Sequence, residues 1–128
     1  MSEPVTRMPE LRANGRDAWG VEGMSLAISL GGSMHAGDWT RATEWVDFAE
    51  ELGLHSVWLP EMHFAPGVCS TPLLCLAAFA ARTKRLRLAT TSVLLPIHHP
   101  LRVAEEVAGL DHLSGGRVIP GLGRGFRP

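Results

Sequence analysis

No charge of one sign dominates this chain, no apolar run is long, and cysteine occurs only twice. Twelve lysines and arginines stand against thirteen aspartates and glutamates, a net charge of −1. That balance excludes the broad basic surface that draws nucleic acid or anionic lipid, so neither is expected as a partner. The longest apolar stretch, residues 72–81, is about half of what a helical membrane span needs. Residues 1–23 carry Arg, Glu and Pro without an apolar segment, which is not the pattern of a secretory signal. Cys69 and Cys75 make neither a disulfide framework nor a Cys-x-x-Cys redox pair. They read as small core-filling thiols of a reducing compartment, and a cytoplasmic protein is expected.

What is present suits one globular domain. The 128 residues are 45% hydrophobic and 20% charged, well outside the range of disordered chains. Residues 1–23, with Pro4, Pro9, Gly15, Gly20 and Gly23 and no apolar periodicity, read as a flexible N-terminal tail. The domain is expected over 24–128. Residues 24–30 alternate apolar and small polar side chains as a strand does. Asp38 follows as a helix cap, and Trp39, Ala42, Trp45, Val46, Ala49 and Leu52 recur at helical spacing, with Gly53 as the stop. The same strand-then-helix order repeats. Residues 56–59 form a short apolar strand, and Thr71 with Pro72 opens a helix to about Arg82. Residues 86–95 form a strand rich in β-branched side chains. His99 and Pro100 open a third helix with Leu101, Ala104, Val107, Ala108 and Leu110 turned inward, and Gly115-Gly116 closes it. A fourth strand begins at Arg117.

The strand starts at Met24, Ser56, Leu86 and Arg117 are 32, 30 and 31 residues apart, close to the roughly 31 residues per unit of a (β/α)8 barrel. Strict alternation calls for parallel strands with right-handed crossovers. The turn over 31–37 (GGSMHAG) matches the dinucleotide-binding glycine pattern poorly, which favours a barrel over an open sheet.

Function in such a barrel sits at the C-terminal ends of the strands. Those ends supply Glu61, His35, His63 and, further on, His98 and His99. A metal site would require His35 and His63 to converge; for His99 the plainer role is ordering the first turn of the helix it precedes. Thr90, Thr91 and Ser92 set three hydroxyls in a row, able to bond the edge of a ring or a phosphate, though threonine is also simply common in strands. The turn over 121–125 (GLGRG) combines close backbone approach with Arg124, a group suited to an anion.

Taken together, these segments match one family. Residues 54–64 (LHSVWLPEMHF) resemble the second strand of the bacterial luciferase-like flavin monooxygenases, which typically read SVWLPEHHF there. Residues 88–102 (LATTSVLLPIHHPLR) resemble their third strand and the start of the next helix. Residues 104–117 (AEEVAGLDHLSGGR) and 121–125 continue the resemblance in order.

The resemblance implies an α/β fold of the (β/α)8 TIM-barrel type, here truncated to about four βα units, the N-terminal half-barrel. It implies oxidation of a small organic substrate by reduced flavin and dioxygen, with the reduced flavin supplied by a separate flavin reductase. Thr91–Ser92 corresponds to the family's cis peptide under the flavin ring, with Thr90 beside it, and Arg124 to an arginine that holds the flavin phosphate. Glu61 lies where the second strand passes the ring, and His63, the second of the family's histidine pair, is the catalytic candidate. Met62 replaces the first histidine, the catalytic one in luciferases. The EMHF and GLGRG segments look more like members that use FMN than like those that use a deazaflavin. A half-barrel exposes strand edges, so an oligomer is expected. Pro120, which cannot donate to a ladder, suits such an edge. The rival reading is a non-catalytic remnant that binds flavin weakly or pairs with another chain.

Overall fold

A computed structural model describes residues 25–31 and 39–126. The expected tail, the turn over 32–37 with His35, and the Asp38 cap lie outside the described residues. In chain order the elements are β1 (Ala27–Ser29), α1 (Trp39–Glu51), β2 (Ser56–Leu59), α2 (Pro72–Arg82), β3 (Arg87–Thr90), β4 (Val93–Leu94), a 3-10 turn (Leu95–Ile97), α3 (Pro100–Ser114), β5 (Val118–Ile119) and β6 (Leu122–Gly123). A parallel sheet runs β1-β2-β3-β5, and β4 pairs with β6 as a second parallel ribbon. This is the α/β partial barrel expected from the sequence.

Register decides which residues meet the helices. Ile28, Val57, Leu88 and Val118 stand in one row across the four strands. All four belong to the core that α1 and α2 cover with Ala42, Val46, Ala49, Leu76 and Phe79. Alternation turns the next row, Ser29, Trp58, Ala89 and Ile119, to the other face. Trp39 stacks on Phe79 with ring centroids 5.2 Å apart, joining the start of α1 to α2.

Three expectations need correction. The strand over 86–95 is not continuous: β3 ends at Thr90 and β4 begins at Val93, because the ladder partner changes from β2 to β6. The fourth strand likewise breaks at Pro120 between β5 and β6, and β5 is an edge of the four-stranded sheet. The inward helix faces also differ. Trp45 of α1 and Leu52 just after it are exposed, as are Leu101, Ala104 and Ala108 of α3, which buries the expected Leu110 together with Val103 and Ser114. Among the described helices each of these two packs mainly on α2, so its apolar stripe is wider than the surface that receives it.

The helix ends follow local chemistry. Thr71 and His99 occupy N-cap positions without a side-chain cap bond, and Pro72 and Pro100 start the helices. His99 takes part in the first turn of α3 only through its carbonyl, which accepts from Val103. Gly115 ends α3 at φ 73°, the left-handed conformation that glycine adopts at least cost. The C-terminal end of α2 is fastened by Arg117. Its guanidinium donates to the carbonyls of Ala80, Thr83, Leu86 and Ser114 and to Thr83 Oγ1, at 2.7–3.1 Å. Burial pulls its pKa down, against the attraction of Glu50. Arg117→Ala leaves several carbonyls without a donor and is expected to cost about 2 kcal/mol. Urea unfolding with an unchanged midpoint would contradict this role.

Candidate functional site

The strand ends converge on Glu61, the second residue after β2, whose side chain is wholly buried. Oε1 accepts from His63 Nε2 at 2.8 Å and from His98 Nε2 at 2.7 Å. Oε2 accepts from the Leu94 amide at 2.7 Å, so the carboxylate also holds the end of β4. Burial pushes its pKa up, but the bonds from Leu94, His63 and His98 outweigh that and leave it below the usual value. An ionised carboxylate clamped by two imidazoles orients both rings and can pass a proton between them.

The sequence does not single out His98. It lies 37 residues from Glu61, and no local signal separates it from His99; only the folded 3-10 turn brings it in. His63 is partly buried and tilts against Phe64, ring centroids 5.8 Å apart. Phe64 is fully exposed at φ 58°, a conformation uncommon for non-glycine residues. Met62 is exposed and donates its amide to the Cys69 carbonyl.

The hydroxyl row divides by role. Thr90 is buried, and its Oγ1 donates to the Gly121 carbonyl and accepts from the Gly121 amide, both at 2.9 Å. Its hydroxyl is therefore a strut between β3 and the glycine turn. Thr91 is exposed and Ser92 half-buried, and the bond between them is cis, as the resemblance implies. Neither side chain hydrogen-bonds another described residue. The glycines are required by closeness. A Cβ on Gly121 would stand 2.0 Å from the Thr90 carbonyl oxygen, and one on Gly123 would stand 2.1 Å from Ser92 Oγ. Arg124 follows β6, is exposed, and makes no bond to another described residue.

A cavity of about 500 Å³ opens beside this cluster between α2 and α3, lined by Glu61, His98, Val93, Leu73, Leu113 and Arg102 among others. His35, on which the metal reading depends, lies outside the described residues; among those described no three His, Cys, Asp or Glu side chains gather to hold an ion. No described helix is long and apolar enough to cross a membrane.

Over 86 residues the chain is 45% identical to 4-hydroxyprotoasukamycin monooxygenase of Streptomyces nodosus subsp. asukaensis, covering 66% of this chain and 22% of that one. A crystallised monooxygenase of Streptomyces bottropensis superposes with a TM-score of 0.74 at 37% identity, over 82% of this chain and 34% of its own. The oxygenating constituent of 3,6-diketocamphane monooxygenase from the CAM plasmid of Pseudomonas putida, solved with FMN, gives 0.76 at 25% identity, over 83% and 31%. The chain thus spans about a third or less of the length of these relatives. Residues 22–128 match the model of the luciferase-like monooxygenases, and the chain belongs to that family.

Proposed function

We propose that residues 24–128 form the N-terminal half of a barrel that oxidises a small organic substrate with reduced FMN and dioxygen. The observation that carries this reading is the β4-β6 ribbon. Ser92 enters one end of it and Arg124 leaves the other. Val93 pairs with Leu122 and Leu94 with Gly123, so the two residues are about three positions, or 10 Å, apart along the strands. The Thr91 and Ser92 hydroxyls at one end and a guanidinium at the other fit a ligand with a flat polar ring and a distant phosphate. In this reading Thr91 and Ser92 hold the ring edge, Arg124 holds the phosphate, and Thr90 sets the spacing beneath them. Bound reduced flavin supplies the electrons that activate dioxygen.

Glu61, His63 and His98 then sit at the same strand ends as a fixed charge with two imidazoles. His63 is the candidate for moving a proton to or from the substrate, and Glu61 orients it. A flavin reductase is the partner this chemistry asks for, and a cytoplasmic setting suits that supply. FMN is favoured over a deazaflavin because the EMHF and GLGRG segments resemble members that use FMN, and a similar structure was solved with FMN, although F420-dependent enzymes share the fold. Met62, standing where luciferases have the first histidine of the pair, favours the rival reading of a non-catalytic, flavin-binding or chain-pairing remnant.

Flavin fluorescence separates the two. In a full-length relative, or in a barrel assembled from two halves, Arg124→Ala is expected to weaken FMN roughly ten- to hundredfold. Riboflavin, which lacks the phosphate, should lose little. Equal losses would place the phosphate elsewhere, and no quenching by either flavin would leave the chain-pairing reading.

A further inference from the structure

The chain's two cysteines, six residues apart and without a redox pattern in the sequence, meet at the candidate site. Cys69 lies on the loop that follows Glu61 and His63, and Cys75 lies in the first turn of α2. Both thiols are free, and their sulfur atoms are 3.6 Å apart. Backbone bonds fix both ends of this contact. The Cys69 carbonyl accepts from the Met62 amide at 2.8 Å, and the Cys75 amide donates to Thr71 at 3.2 Å, just before Pro72 starts the helix. Cys69 is buried and Cys75 half-buried, so only a small reagent reaches them.

We propose that Cys69 and Cys75 are a peroxide-sensitive dithiol whose oxidation closes an intramolecular disulfide between the Glu61 loop and the first turn of α2. The two thiols differ electrostatically, which favours one as the first to react. The bond from the Cys75 thiol lowers the pKa of Cys69 against the effect of burial, with help from the Thr71 amide, while Cys75 is pushed up. Cys69 is the thiol poised to ionise and attack; Cys75 keeps its proton until the second step. The Cys69 thiolate takes one oxygen of hydrogen peroxide, the O–O bond breaks, and hydroxide leaves with the electron pair. The hydroxide accepts the Cys75 proton and becomes water. Cys75 sulfur then attacks the sulfenic sulfur of Cys69, the S–O bond breaks, and the departing oxygen leaves as a second water once it is protonated. Two thiols are oxidised by two electrons and one peroxide is reduced to two waters. The sulfurs need to approach by about 1.5 Å to reach bonding distance. Because the Met62 amide is bonded to the Cys69 carbonyl, the new bond would tie the segment carrying Glu61 and His63 to α2. The inference does not depend on the flavin reading, since hydrogen peroxide alone is the oxidant.

The test uses the reduced 128-residue chain and hydrogen peroxide, followed by intact mass and alkylation mapping. The expected product has lost about 2 Da and both alkylatable thiols. Its tryptic peptide containing Cys69 and Cys75 takes up alkylating agent only after reduction. The reaction should run at least tenfold faster in native buffer than in urea, where the contact is gone. In Cys75→Ser, Cys69 should gain oxygen without closing a bond, at least tenfold faster than Cys75 does in Cys69→Ser. Retention of both thiols, crosslinks between copies in place of the internal bond, equal rates in buffer and urea, or equal reactivity of the two single variants would each overturn the proposal.

Discussion

Replacing Glu61 with leucine is expected to destabilise the chain by about 3 kcal/mol, chiefly because the Leu94 amide loses its acceptor. Three donors converge on this carboxylate: the Leu94 amide, His63 Nε2 and His98 Nε2. Leucine fills part of the volume but leaves the Leu94 amide without an acceptor, while the partly exposed imidazoles can turn to water. Glu61→Gln keeps one acceptor oxygen while turning an amide donor toward other donors, and is expected to cost less, about 1–3 kcal/mol. The acid limb of stability carries the same signature. The pKa of Glu61 is lowered in the folded state from a reference of 4.5. Its contribution is therefore complete above that reference and is lost as pH falls through the lower folded value. Urea midpoints measured from pH 6 downward should decline below about pH 4.5 in the parent and more gently in Glu61→Gln. Parallel curves would show that the buried carboxylate does not control acid stability.

Parts of the fold were legible because single residues mark them. Pro72 can only start a helix, and the structure starts α2 there and ends it at Arg82. The short run over 56–59 appears unchanged as β2. Other features depend on neighbours that one segment cannot name. The third strand breaks after Thr90 because Val93 and Leu94 find β6 as partner, and that choice belongs to residues some thirty positions later. The stripe of α1 includes Trp45 and Leu52 by periodicity, yet only Ala42, Val46 and Ala49 are buried. Helix α2, with a helix on each side, buries the larger Leu76 and Phe79 along with Ala80.

The site divides in the same way. Glu61, Thr91, Ser92 and Arg124 stand at strand ends by position alone, but only the family pattern gives them roles, since a threonine pair or a glycine-rich turn is common. The buried strut role of Thr90 is a matter of one hydroxyl meeting both the carbonyl and the amide of Gly121. Neither residue type nor spacing announces that. His98 shows the limit most clearly: its ring reaches Glu61 because the 3-10 turn (Leu95–Ile97) redirects the chain before α3.

The chain of 128 residues, studied alone, is expected to associate into dimers or larger species and to show negligible flavin turnover. A closed barrel gives every strand two neighbours. Here β1 and β5 each have one among the described strands. Unpaired parallel edges present rows of amides and carbonyls that another copy can match. Protection of the two edges is unequal. Pro120 interrupts the chain directly after β5, whereas residues 24–30 contain neither proline nor charge, and Leu26 beside β1 is 64% exposed. Apolar side chains add to the drive. Trp45, Phe48 and Leu52 lie open on and beside α1, and Leu74, Leu101 and Leu113 on α2 and α3, apolar surface that association would cover. The lack of turnover has a separate cause. The Ser92 and Arg124 ends of the ribbon are present, but the chain spans about a third of similar structures, and a barrel site draws its residues from the ends of several strands. Light scattering and flavin turnover, measured on one sample, test both halves of the expectation. A monodisperse monomer that turns over substrate would overturn it entirely. A stable monomer without turnover would mean that the four-stranded sheet tolerates its open edges. Turnover by an oligomer would mean that two halves rebuild a working site between them.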